Sequence, residues 1–205
     1  MKVVKICTNS PIRLPRRFIV GLSQTNQWRV NMYAVGPREL QTDGIEASTF
    51  EALAEIAVKN LNGGRGLSVV CGPITTGGTG NQTHNFEVFN ATVRGLERRG
   101  KQLFNQVPYE FGLRRLAYKW EAEGNSGYCM PILTTFYARV FESGAVTEGW
   151  FIPGWKSSFG ARWERDKLAD EGCTIHDLTH ADIREFLQAE YPPEHVGLIM
   201  GLLTE

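Results

Sequence analysis

The feature that most constrains this chain is residues 150–164, which read Trp-Phe-Ile-Pro-Gly-Trp-Lys-Ser-Ser-Phe-Gly-Ala-Arg-Trp-Glu. They spell a short apolar strand, a Pro-Gly turn, two serines able to cap a helix, and a helix whose first turns carry Gly160 and Glu164. A strand that passes through a polar turn into a helix start belongs in an α/β fold. It is also where such folds place ligands, because unpaired backbone N–H groups and the helix dipole converge there.

The chain upstream supplies the partners this unit needs. Residues 67–71 form a largely apolar run suited to a buried parallel strand, which breaks at Gly72-Pro73 into a loop containing Gly77, Gly78 and Gly80. A helix follows, with Phe86, Phe89, Val93 and Leu96 as its apolar stripe, and 102–105 reads as a second short strand. Helices are expected over 109–120 and 128–141, a last strand at 173–175, and two closing helices. The Thr179 to Asp182 capping spacing opens the first of these, and 194–203 forms the second.

Residues 1–66 differ. Short β-branched or aromatic runs at 2–7, 17–23 and 28–35 suggest a small β-rich extension, and Ser48 opens a helix that ends at the Gly-rich joint of residues 62–66. The division expected is therefore 1–66, then an α/β domain at 67–178, then C-terminal helices at 179–205. Arg13, Arg16 and Arg17 are either a solvated strand edge or a phosphate contact.

Composition narrows the function. With 22 basic and 22 acidic residues among 205, the net charge is zero, so no global field favours nucleic acid or an anionic membrane. Four cysteines without Cys-x-x-Cys spacing imply free thiols, and no apolar run is long enough for a membrane span. The N-terminus shows no apolar signal region, so a cytoplasmic protein is expected. His176 and His180 are four apart, but the helix start at Thr179 separates them, so no metal site and no cofactor is expected.

Glu164 stands one helical turn beyond Gly160, which leaves open space over a residue with no side chain. The dipole favours its ionised form, which suits a nucleophile; the alternative is a surface glutamate paired with Lys167. Ser157 and Ser158 are caps, anion ligands or both. Trp155 offers an indole face for a base. Gly77-Gly78-Thr79-Gly80 matches neither the dinucleotide fingerprint nor a P-loop, and serves either as a mobile loop or as a phosphate loop.

Together these elements resemble the nucleoside 2-deoxyribosyltransferase-like superfamily, specifically a bacterial and phage branch with a Leu-Pro-Gly-Trp-x-x-Ser-x-Gly-Ala-x-x-Glu signature. Residues 152–164 carry that signature, with Ile152 in place of Leu. Gly72-Pro73, Asn85 to Phe89 and Phe104-Asn105 match further family positions, and the likeness spans roughly residues 67–178.

The resemblance implies a flavodoxin-like parallel sheet flanked by helices, acting on a (deoxy)nucleoside 5′-monophosphate. Glu164 would attack the anomeric carbon, water or a second base would complete hydrolysis or transfer, and Ser158-Phe159-Gly160 would hold the phosphate. Gly72, Pro73, Ile74, Gly77, Gly78, Asn81, Asn85, Trp155, Ser157, Ser158 and Gly160 would line the pocket, and a homo-oligomer is implied. The chain has Val69 where the family often has Tyr, and Thr147 or Glu148 where it usually has Asp; Glu148, Tyr109 and Tyr128 are the candidates to take their places. A non-catalytic nucleotide-binding or sensing module is the second reading, and an assembly protein the third.

Overall fold

A computed structural model describes residues 47–61, 64–75 and 77–204. The strands expected in the first 46 residues and the Arg13, Arg16, Arg17 cluster lie outside the described residues. The first described helix, α1 (Phe50–Asn60), is capped by Thr49 rather than Ser48: the Thr49 side chain accepts a hydrogen bond from the Ala52 amide at 3.2 Å. Phe50, Leu53, Ala54 and Ala57 bury its apolar face in the same core that receives the helices far downstream. Residues 64–66 therefore lead from α1 to a strand whose core α1 shares.

The centre is a parallel sheet of β1 (Leu67–Cys71), β2 (Val146–Phe151) and β3 (Thr174–Asp177), in that order. The strand expected at 102–105 is reduced to one parallel bridge, Leu103 beside Ser68, on the free edge of β1. The register of β1 on β2 slips once. Leu67 faces Val146 but Ser68 faces Glu148, so Thr147 is an extra residue in β2.

Alternation then sends side chains to two faces. Val69, Cys71 and Phe151 enter one core with α1, α3 (Val107–Ala122), α4 (Ala138–Glu142) and α5 (Phe159–Asp170). Val70 and Trp150 enter the other with α2 (Gln82–Arg98), α6 (His180–Gln188) and α7 (Pro193–Leu202). Among the described residues no helix is long and apolar enough to cross a membrane.

Two close approaches tighten this arrangement. A Cβ on Gly149 would lie 2.8 Å from Leu168, which is how closely α5 rides on the sheet, and one on Gly95 would lie 2.2 Å from the Phe186 ring, where α2 meets α6. The helix expected over 128–141 begins only at Met130 and passes through a π-helical stretch, Ile132–Tyr137, before α4. The wider turn delivers the neighbours Phe136 and Tyr137 together into the core. Helical periodicity pointed to Tyr137 and passed over Phe136.

Candidate functional site

The turn after β2 is built by hydrogen bonds to its own chain and to the Gly-rich loop. Gly154 takes a left-handed φ of 83°, a short 3-10 turn covers Trp155–Ser157, and Ser158 caps α5 by accepting from the Ala161 amide at 3.3 Å. Ser157 does something else. Its hydroxyl accepts from the Gly78 amide at 3.0 Å and donates to the Gly154 carbonyl at 2.6 Å. A Cβ on Gly77 would lie 2.1 Å from that hydroxyl, so the loop can close on Ser157 only with glycine there.

The remaining loop candidates serve the same construction. Buried Asn85, in the first turn of α2, accepts from the Thr79 amide at 2.9 Å and hydroxyl at 2.8 Å, and its amide donates to the Gly77 carbonyl at 3.0 Å. Asn81 caps α2. Gly72 lies against Ile152, Pro73 is buried beside Gly78, and Ile74 packs at the margin of the α2 core. The two stretches singled out in the sequence thus meet, and their polar groups bond largely to one another.

Glu164 projects from the second turn of α5 toward the end of β1, where its carboxyl and the Cys71 thiol lie close enough to influence each other's proton affinity. The residue retains some accessible surface, yet its carboxyl is densely surrounded by protein. Burial pushes its pKa up to about 8, and the neighbouring Cys71 thiol only partly opposes this. The expectation that the helix dipole holds Glu164 ionised is overturned. A helix start contributes about 0.3–1 kcal/mol, while a displacement that large corresponds to several. Lys167 is not its partner, since it bonds Glu142 at 2.7 Å and Glu171 at 2.8 Å.

Tyr128 arrives over this carboxyl from an exposed loop. Its hydroxyl sits 2.9 Å from where a Cβ of Gly160 would be, its ring leans on Phe159 at 5.2 Å, and its pKa is pushed up to about 12 by burial and the nearby Glu164. The space over Gly160 is therefore filled by a phenol that remains an O–H donor. Tyr109 is deeper, buried between Phe104 and Phe136, with its oxygen accepting from the Asn60 amide.

Glu148 and Trp155 stand apart from this cluster. Glu148 is on the opposite sheet face, bonded to Lys101 at 2.9 Å, to the Ser68 hydroxyl at 2.8 Å and to the Trp150 indole at 3.2 Å. These donors hold its pKa down at about 2. Trp155 carries the Arg165 guanidinium 4.3 Å over its ring, so a face expected to stack a base is taken.

Three members of the cluster escaped the sequence reading. Cys71 is the last residue of β1, a position that its place before Gly72-Pro73 could have exposed. Tyr137, whose hydroxyl donates to Gln106 at 2.6 Å, and Glu110 lie close enough to be felt electrostatically, since both Glu110 and Glu164 push the Tyr137 pKa further up after burial. The π-helical turn that brings Phe136 inward beside Tyr137 has no signature in the periodicity.

Among the described residues no group of three or more His, Cys, Asp or Glu side chains is placed to hold a metal. His176 stacks on Trp150 at 4.0 Å within β3, and His180 begins α6. No protein-family model, curated protein or solved structure matches this chain.

Proposed function

We propose that the protein cleaves or transfers the N-glycosidic bond of a (deoxy)nucleoside 5′-monophosphate, with Glu164 as nucleophile. The observation that carries this reading is a densely surrounded carboxyl beside the carboxyl end of the first parallel strand, from which the glycine loop departs. Strand order supports the flavodoxin-like part. With Leu103 at one edge, then β1, β2 and β3, the chain reverses direction across β1, and open sheets bind ligands at such a switch point.

In this reading a Glu164 oxygen forms a bond to the anomeric carbon while the carbon–nitrogen bond breaks and its electron pair leaves with the base. The Tyr128 hydroxyl, retained as a donor, is placed to protonate the departing base. Water or a second base then displaces the carboxylate. Glu164 rests protonated at neutral pH, so it attacks from the fraction that has already lost its proton to solvent water.

The test is incubation with a panel of deoxy- and ribonucleoside 5′-monophosphates, read by chromatography for free base, in wild type and Glu164→Ala. Base release that is lost in the variant supports the proposal; release that persists in Glu164→Ala removes the nucleophile. The second reading, a nucleotide-binding module without chemistry, draws on Glu148 lying across the sheet, where it gives Glu164 no carboxylate partner. Thermal stabilisation by a nucleotide without any free base would favour it.

A further inference from the structure

A second depression opens on the other flank of α5, a cavity of about 370 Å³ with Trp155, Lys156, Arg165, Asp177 and His180 on its wall. Glu164, Cys71 and Tyr128 do not line it. It lies outside the carboxyl ends of β2 and β3, the end of a parallel sheet at which open α/β folds take ligands, and its volume is within the range of small-molecule sites.

The charges on this wall are unbalanced. Asp177 is engaged, receiving two Arg165 N–H bonds at 2.7 and 2.9 Å, and the nearby Trp155 indole and Lys156 ammonium further favour its ionised form. The guanidinium has further N–H donors to offer. The Lys156 ammonium makes no ion pair or hydrogen bond among the described residues and lies 5.8 Å from the Trp155 ring centre. The His180 side chain likewise has no hydrogen-bond partner among the described residues. Two permanent cations and a histidine therefore face one carboxylate that is already satisfied.

We propose that this cavity is an anion site for the phosphoryl group of a small organic phosphate, held by Lys156, His180 and the unused Arg165 donors beside the Trp155 ring. Planar guanidinium and ammonium donors converging on one space suit a tetrahedral dianion, and charge-assisted bonds are the strong ones available to it. The site is separate from Glu164 and does not depend on the glycosidase reading.

The experiment titrates the full chain with inorganic phosphate and with glycerol 2-phosphate at constant ionic strength, which removes screening as a variable. Amide and indole nitrogen–proton shifts are followed, with Trp155 assigned through Trp155→Phe. The expected result is saturable movement of the Trp155 indole and of residues 154–156 and 178–181, weakened about tenfold in Lys156→Ala and unchanged in Glu164→Gln. Shifts confined to residues 77–80 and 158–161, affinity unaltered by Lys156→Ala, or no saturation at millimolar ligand would each overturn the site.

Discussion

The Cys71 thiol at the end of β1 lies close enough to the Glu164 carboxyl, in the second turn of α5, for each to bear on the other's proton affinity. Burial raises both pKa values, so neither group is substantially ionised at neutral pH in the resting protein. The buried thiol stays protonated and is therefore a poor nucleophile, since thiolate character is what makes cysteine reactive.

Glu164 consequently opposes folding at neutral pH. Its folded pKa, about 8, lies above the ordinary 4.5, so the stability it contributes is complete below pH 4.5 and is lost as pH rises toward 8. Glu164→Gln escapes that loss. In urea unfolding the variant and wild type should match near pH 4, and the variant should lead by on the order of 2 kcal/mol at pH 8. A difference that does not change with pH contradicts the assignment.

The same ionisation orders the two chemical roles open to Glu164. If it attacks as a carboxylate, base release under kcat/KM conditions rises with pH and levels off above about 8. If it donates a proton instead, the rate falls through that range. A pH–rate profile decides, and a descending limb at pH 8 would falsify the nucleophile.

Glu148 should behave oppositely. Lys101, Ser68 and Trp150 hold its pKa near 2, so its contribution is present above pH 4.5 and disappears as pH falls toward 2. Glu148→Gln should cost about 1–2 kcal/mol at pH 7, with the gap closing in acid. Denaturant melts at pH 7 and pH 3 check both the size and the sign.

Asn85 braces the glycine loop through bonds to Thr79 and Gly77. Asn85→Ala leaves those buried groups unpaired and should cost about 1–3 kcal/mol. Hydrogen exchange at the Thr79 amide should accelerate more than at amides in the middle of α2. Equal acceleration throughout would mean the loop has no separate dependence on this side chain.

Gly95 has no room for a methyl group, because the Phe186 ring stands 2.2 Å from its notional Cβ. Gly95→Ala should destabilise by about 1–3 kcal/mol despite the better helix propensity of alanine. Pairing it with Phe186→Leu should give a combined loss smaller than the sum of the two, measured as a double-mutant cycle.

What the sequence disclosed and what it withheld follow physical lines. The strand, Pro-Gly turn, Ser158 cap and helix were readable because each rests on local chemistry, whereas the meeting of the Gly72–Gly80 region with residues 152–158 was implied only by the family resemblance. Pairing was not readable. Nothing local in Ser157 or Asn85 distinguishes a ligand contact from a bond to the neighbouring loop, and both make the latter. Glu164 was located correctly on its helix, but its proton affinity is set by the packing of β1, Tyr128 and the helices around it, which only the folded chain supplies.

The extra residue at Thr147 decides which acid lives where. Val146, before it, packs into the α5 side, so regular alternation would have carried Glu148 to that side as well. The one-residue slip sends it through to Lys101 instead. The sheet thereby becomes a partition between two carboxyl groups titrating near pH 2 and pH 8, and neither feels the other's charge at close range. Deleting Thr147 would only make the ladder regular and leave Glu148 beside Lys101, whereas an unbulged pairing that kept Thr147 and the Val146 side would turn Glu148 toward the side of Glu164.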